Sequence, residues 1–108
     1  MARSGILMTS YHGRAAKVDA NQAEIVSALR RVGASVACTH GMGCGFPDLV
    51  VGFKGKNILI EVKDGGKPKS ARKLTKDQVK WHAEWKGQVC VVKNVDESLA
   101  AIGANFNE

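Results

Sequence analysis

Proline is scarce in this chain, two in 108 residues, aromatic side chains make up only 6% of it, and no apolar run is long. A membrane-spanning helix needs roughly 18 consecutive apolar residues, and nothing in the sequence approaches that length. The apolar patch GILM near the N-terminus falls short of a secretory h-region of about 7 to 15 residues, so a cytoplasmic location is expected. Cys38, Cys44 and Cys90 are odd in number and form no CxxC pair, which argues against a disulfide framework and favours reduced thiols. Acids are the other shortage: ten Asp and Glu stand against sixteen Lys and Arg, for a net charge of +6. A chain of this length holds one domain with a single modest core.

The basic excess is concentrated. Lys63, Lys67, Lys69, Arg72, Lys73, Lys76 and Lys80 face only Asp64 and Asp77 in the same segment, a local +5. Residues 1–18 add Arg3, Arg14 and Lys17 with no acid and no clean periodicity, and read as a basic N-terminal arm before a single domain over 19–108. A stripe of this kind is the footprint of a polyanionic partner, most often nucleic acid. Charge alone leaves a merely solvated surface equally open.

Asp19 followed by Gln22 has capping-box spacing, and Val18, Ile25, Leu29 and Val32 share one helical face up to Gly33. This predicts an amphipathic helix over 20–32. ASVACTH (34–40) reads as a strand, followed by a flexible GMGCG. PDLVVGFK and NILIEVK read as paired strands, and the polar, Gly-rich segment 64–73 as a loop. Thr75 with Gln78 repeats the capping-box spacing and opens a second helix ending near Lys86 and Gly87. QVCVVK (88–93) is a β-branched strand and 96–102 a short terminal helix. The order α-β-β-β-α-β-α is an α/β layer arrangement, a small sheet covered by helices.

Gly55 and Lys56 fit a two-residue type II′ hairpin turn, which would set Lys54 opposite Asn57, Val50 opposite Glu61 and Asp48 opposite Lys63. Because side chains alternate, Asp48, Glu61 and Lys63 then share one face, and Leu49, Val51, Phe53, Ile58, Ile60 and Val62 the other. Asp48 and Glu61 become diagonal neighbours, about 7 to 8 Å apart at the backbone. A divalent cation relieves the repulsion between two such carboxylates, and Mg²⁺ takes one or two carboxylates together with waters and phosphate oxygens. The alternative is a cross-strand Asp48–Lys63 ion pair on an exposed face. ILIEV argues against it, since it reads as a strand buried on both faces, where a charge is costly unless paired or metal-bound.

Pro47-Asp48, twelve residues, then Glu61-Val62-Lys63 resembles the PD-(D/E)XK nuclease signature. With GFPDL, LIEVK, LTKDQVKWH and QVCVV in that order over about residues 19–102, the chain most resembles the virus-type replication-repair nuclease (VRR-NUC) family within that superfamily. The resemblance implies a restriction-endonuclease-like core and metal-dependent hydrolysis of DNA phosphodiesters, directed at branches, junctions or flaps rather than at sequence. It implies Asp48 and Glu61 as ligands of Mg²⁺ or Mn²⁺, with the Val62 carbonyl a further one, and Lys63 orienting or deprotonating the attacking water. Glu24 matches the carboxylate of the first helix, with Asn21 and Gln22 as alternatives. Gln78 would orient the lysine or contact DNA; its own position, amid Leu74, Trp81 and Trp85, points it at the sheet, against the alternative that it only caps Thr75.

Lys67, Lys69, Arg72, Lys73, Lys76 and Lys80 would grip the DNA backbone. Junction-cleaving relatives act in pairs, which implies a homodimer. A non-catalytic DNA-binding or assembly module and an RNA-directed endonuclease are the rival readings. Cys38, His40 and Cys44 have irregular spacing and no fourth ligand, which speaks against zinc. GMGCG leads into a strand and is no dinucleotide fingerprint. Trp81 and Trp85 are expected in the core, and His82 on the helix surface or at a phosphate.

Overall fold

The computed structural model describes residues 18–104, so the expected N-terminal arm lies outside the described residues but for Val18. Helix α1 (Gln22–Arg31) leads to β1 (Ser35–Cys38), a 3₁₀ turn (His40–Met42), β2 (Leu49–Phe53) and β3 (Lys56–Val62). A second 3₁₀ turn (Lys69–Arg72), α2 (Lys76–Glu84), β4 (Val89–Val92) and α3 (Val95–Ala101) complete the chain. The sheet order is β1-β2-β3-β4, antiparallel except for the parallel pair β3–β4. The expected α/β arrangement, a small mixed sheet flanked by helices, is therefore present. Among the described residues no helix is long and apolar enough to cross a membrane.

One sheet face is the core. Leu49, Val51, Ile60, Val62 and Val92 alternate onto it and close against Ile25, Val26 and Leu29 of α1 and Leu99 of α3. Full burial of such side chains contributes roughly 1.5 to 3 kcal/mol each, which makes this cluster the main stabilising element. Parallel β3 and β4 require a crossover, and α2 supplies it on the opposite face.

Several local expectations are corrected. The N-cap of α1 is Asn21, not Asp19, and no side chain caps it. Asn21 Nδ2 instead donates to the carbonyls of Lys63 (3.2 Å) and Lys93 (2.9 Å), so tertiary bonds to the ends of β3 and β4 override the local cap. The hairpin turns at Lys54 and Gly55, both with positive φ (51° and 78°), as in a type I′ turn, not at Gly55-Lys56. Leu49 pairs with Ile60 and Val51 with Ile58, a slip of two residues from the expected register. An even slip leaves each side chain on its own face, so the apolar pattern cannot distinguish the two registers and the turn decides. The segment 64–73 is not wholly loop, since it contains the Lys69–Arg72 turn.

α2 departs furthest. Its capping box is present as expected, but none of its residues is buried, and Trp85 is 42% exposed. Trp81 and Trp85 are therefore not core residues. They stack on each other, and Phe46 meets Trp81 edge-on.

Candidate active site

Residues 39–48 fold onto themselves before entering β2. Thr39 N–H donates to the Asp48 carbonyl (2.7 Å) and its hydroxyl to the Pro47 carbonyl (2.8 Å), which ties the start of the loop to its end. Gly45, at φ +82°, lies so close to α2 that a Cβ there would fall 2.3 Å from the Asp77 carbonyl oxygen. Only glycine meets both demands, and the close approach sets the first turn of α2 over the end of β3.

The register found places Asp48 one step beyond the Leu49–Ile60 pair, directly opposite Glu61 rather than diagonal to it. Asp48 Oδ2 accepts from the Val62 N–H (2.8 Å). Glu61 is 2% exposed and Lys63 9%, so two charged side chains that the sequence sets in an apolar strand are buried there. Lys63 Nζ lies 3.6 Å from Glu61 Oε2 and donates to Gln78 Oε1 (2.9 Å). Gln78 Nε2 donates to Glu61 Oε2 (2.8 Å), while its Oε1 also accepts from the Thr75 N–H (2.9 Å). Gln78 therefore caps the helix and also bridges the buried pair, so it does not only cap Thr75.

Glu61 Oε1 is buried and has no hydrogen-bond partner. Burial, and then the charge of Asp48, push the Glu61 carboxyl up to about 8; burial also raises Asp48, against the opposing Val62 N–H. Two facing carboxylates short of donors need a proton or a cation between them. Among the described residues no group of three or more His, Cys, Asp or Glu side chains lies together as a metal-holding set. Two carboxylates, with waters and substrate oxygens completing the shell, match the habit of Mg²⁺, and the free Glu61 oxygen is a ready donor.

A cleft of about 350 Å³ opens on this group, and Asp48, Glu61, Val62, Lys63 and Gln78 all line it. Glu24 does not. It is exposed on α1, away from the cleft, whereas Asn21 ties that helix to β3 and β4 and Gln22 is buried with its Oε1 unpartnered. Two cleft residues escaped sequence reasoning in this role. Asp19, which reads locally as a helix cap, lines the cleft, pairs with Lys67 (3.4 Å) and raises Asp48 through its charge. His40 lines it too, with its Nδ1 buried and unpartnered. No local pattern signals either one, because only the 39–48 fold and the α1 entry bring them there.

The basic residues flank the cleft rather than enter it. Lys67, Lys69 and Lys73 are exposed along 64–73, of which Ala71 reaches the cleft wall, and Lys76 and Lys80 are exposed on α2. Arg72 is half-buried and acts electrostatically on Glu97. His82 is half-buried, and burial, then Lys63, lower its pKa. No protein-family model, curated protein or solved structure matches the chain.

Proposed function

We propose that this chain is a metal-dependent DNA endonuclease of the VRR-NUC type, acting in the cytoplasm on branched, junction or flap DNA in phage or bacterial replication and repair. One observation carries the reading: Asp48, Glu61 and Lys63 meet in a buried cleft, with Gln78 bridging the last two and one Glu61 oxygen free.

Asp48 and Glu61 are the residues that would hold Mg²⁺, or Mn²⁺ in its place, with the Val62 carbonyl beside them. A cation bound there supplies Lewis-acid stabilisation of the phosphate and acidifies a bound water. The remaining work falls to the chain. Lys63, fixed by Gln78, stands next to the carboxylates, where it can orient the attacking water, take its proton and offset charge on the phosphoryl oxygens. Gln78 accepts from Lys63 and supplies Glu61 Oε2 with a hydrogen-bond donor beside the Lys63 charge. Lys67, Lys69, Arg72, Lys73, Lys76 and Lys80 contribute backbone affinity without base readout.

The test is incubation of the purified protein with supercoiled plasmid and with branched DNA, with and without Mg²⁺ or Mn²⁺. Nicking that needs metal and falls by roughly 10²-fold or more in Lys63→Ala is expected. Absence of metal-dependent nicking, or equal nicking by Lys63→Ala, would sink the reading.

A further inference from the structure

The chain has six aromatic residues in all, and three of them, Phe46, Trp81 and Trp85, gather beside the cleft. Trp81 and Trp85 stack with ring centroids 4.7 Å apart and planes 19° from parallel, and Phe46 meets Trp81 edge-on at 5.3 Å. None of the three belongs to the hydrophobic core cluster. Trp85 follows the last residue of α2 and packs against Gly87, where an added Cβ would stand 2.9 Å from its ring nitrogen. Its ring thus lies over Gly87 and against Trp81 while staying 42% exposed. Aromatic surface gathered outside the core is the mark of a contact surface.

Alongside lies a hollow of about 290 Å³ lined by Cys44, Asp77, Lys80, Trp81 and Glu84. It adjoins the catalytic cleft: Asp77 borders both, and Phe46 lines the cleft while touching Trp81. Lys80 lines the hollow, and Lys73, Lys76 and Lys86 are exposed on and beside α2. A flat aromatic surface on an element that carries exposed amines matches a nucleic-acid strand, whose bases stack while its phosphates meet the cations. Bases inside a duplex are already stacked and paired, so away from duplex ends their faces are free for an indole only where pairing is broken.

We infer that the Trp81–Trp85 stack and the adjoining hollow receive an unpaired nucleobase of the DNA strand whose phosphate lies in the cleft. The inference rests on the endonuclease reading for the nearness of that phosphate, and it narrows the substrate to DNA with unpaired nucleotides at the cut. Trp81 stands one helical turn, about 5 Å, beyond Gln78, so the base belongs to a nucleotide next to the scissile phosphate or one further along. Asp77 and Glu84 border the hollow as acceptors for exocyclic amino groups on that base.

Trp81 and Trp85 are the only two tryptophans in the chain, so intrinsic indole emission reports on this place alone. The wild-type protein, kept in EDTA to prevent cutting, is titrated with a single-stranded oligodeoxynucleotide, a flap or gapped duplex, a blunt duplex and a single-stranded oligoribonucleotide. Quenching by the first two, and weak quenching by the blunt duplex at the same occupancy, is expected. In Trp85→Ala, the ratio of single-strand to duplex affinity falls roughly 5- to 150-fold, and Trp85→Phe restores most of it. Quenching by the blunt duplex as strong as by the single strand, quenching by the oligoribonucleotide alone, or an unchanged ratio in Trp85→Ala overturns the inference. Quenching without any cleavage in Mg²⁺ leaves the stacking site standing and removes the nuclease reading; cleavage without quenching does the reverse.

Discussion

Glu61 is the residue on which the physical chemistry of the site turns. Its carboxyl sits at about 8 against an ordinary 4.5, first because it is buried and second because Asp48 faces it. Between those values the folded chain keeps a proton that the unfolded chain has released, so the metal-free protein loses stability as pH rises. His82, lowered from 6.5 by burial and then by Lys63, works in the opposite sense below 6.5, where only the unfolded chain takes up its proton. The window between 6.5 and 8 therefore isolates the facing Asp48–Glu61 pair from the histidine. Thermal unfolding in EDTA should show a falling midpoint across it, with a slope of at most about 1.4 kcal/mol per pH unit for one proton. Glu61→Gln should flatten that slope, as should saturating Mg²⁺; a midpoint equally steep in Glu61→Gln would assign the titration elsewhere. Gln78 permits a second separation of roles. Thr75→Ala removes only the helix cap, at a cost of about 1 kcal/mol, whereas Gln78→Ala also strands Lys63 and Glu61. Metal-dependent cleavage should fall about tenfold further in Gln78→Ala than in Thr75→Ala, and equal losses would reduce Gln78 to a capping residue.

At the level of elements, the hinge of the design is the contact between the 43–47 loop and α2. Gly45→Ala drives a Cβ against the Asp77 backbone and strains a left-handed residue, a combined cost on the order of 1 to 3 kcal/mol. The helix should give way before the core does. Cleavage and tryptophan emission should then change together while far-ultraviolet dichroism of the sheet persists; unaltered cleavage would show that the loop does not place Gln78. How legible such features are depends on the range of the forces behind them. Thr75-Gln78 was readable because a capping box is contained in four residues, and the single charged face because alternation survives an even slip. The I′ turn was not, since a lysine at positive φ carries no turn signal, and neither was the loss of the Asp19 cap to Asn21's bonds forty and more residues away. The exposure of the tryptophans has a related cause. A helical wheel gives the relative angles of residues, but what each angle faces is set by how much sheet lies beneath the helix, and α2 has little.

For the whole molecule, the distribution of charge predicts behaviour that no single side chain fixes. If Lys67, Lys69, Arg72, Lys73, Lys76 and Lys80 each meet one phosphate, the logarithm of DNA affinity should fall with the logarithm of salt concentration at a slope of about −5. A slope near −2 would confine binding to the cleft rim. Symmetric cutting of a junction calls for two copies of so small a chain, and light scattering on junction DNA should find a homodimer; a monomer there would favour single nicks or flaps. One amide, finally, links catalysis to the order of folding. Gln78 caps the first turn of α2 and bridges Lys63 to Glu61 with the same few atoms, while the core closes on the other side of the sheet without that helix. An element so sparsely buried opens at lower free energy than the globule. If the cleft cuts DNA as proposed, activity should be the last property gained on refolding and the first lost on warming, while the core stays closed.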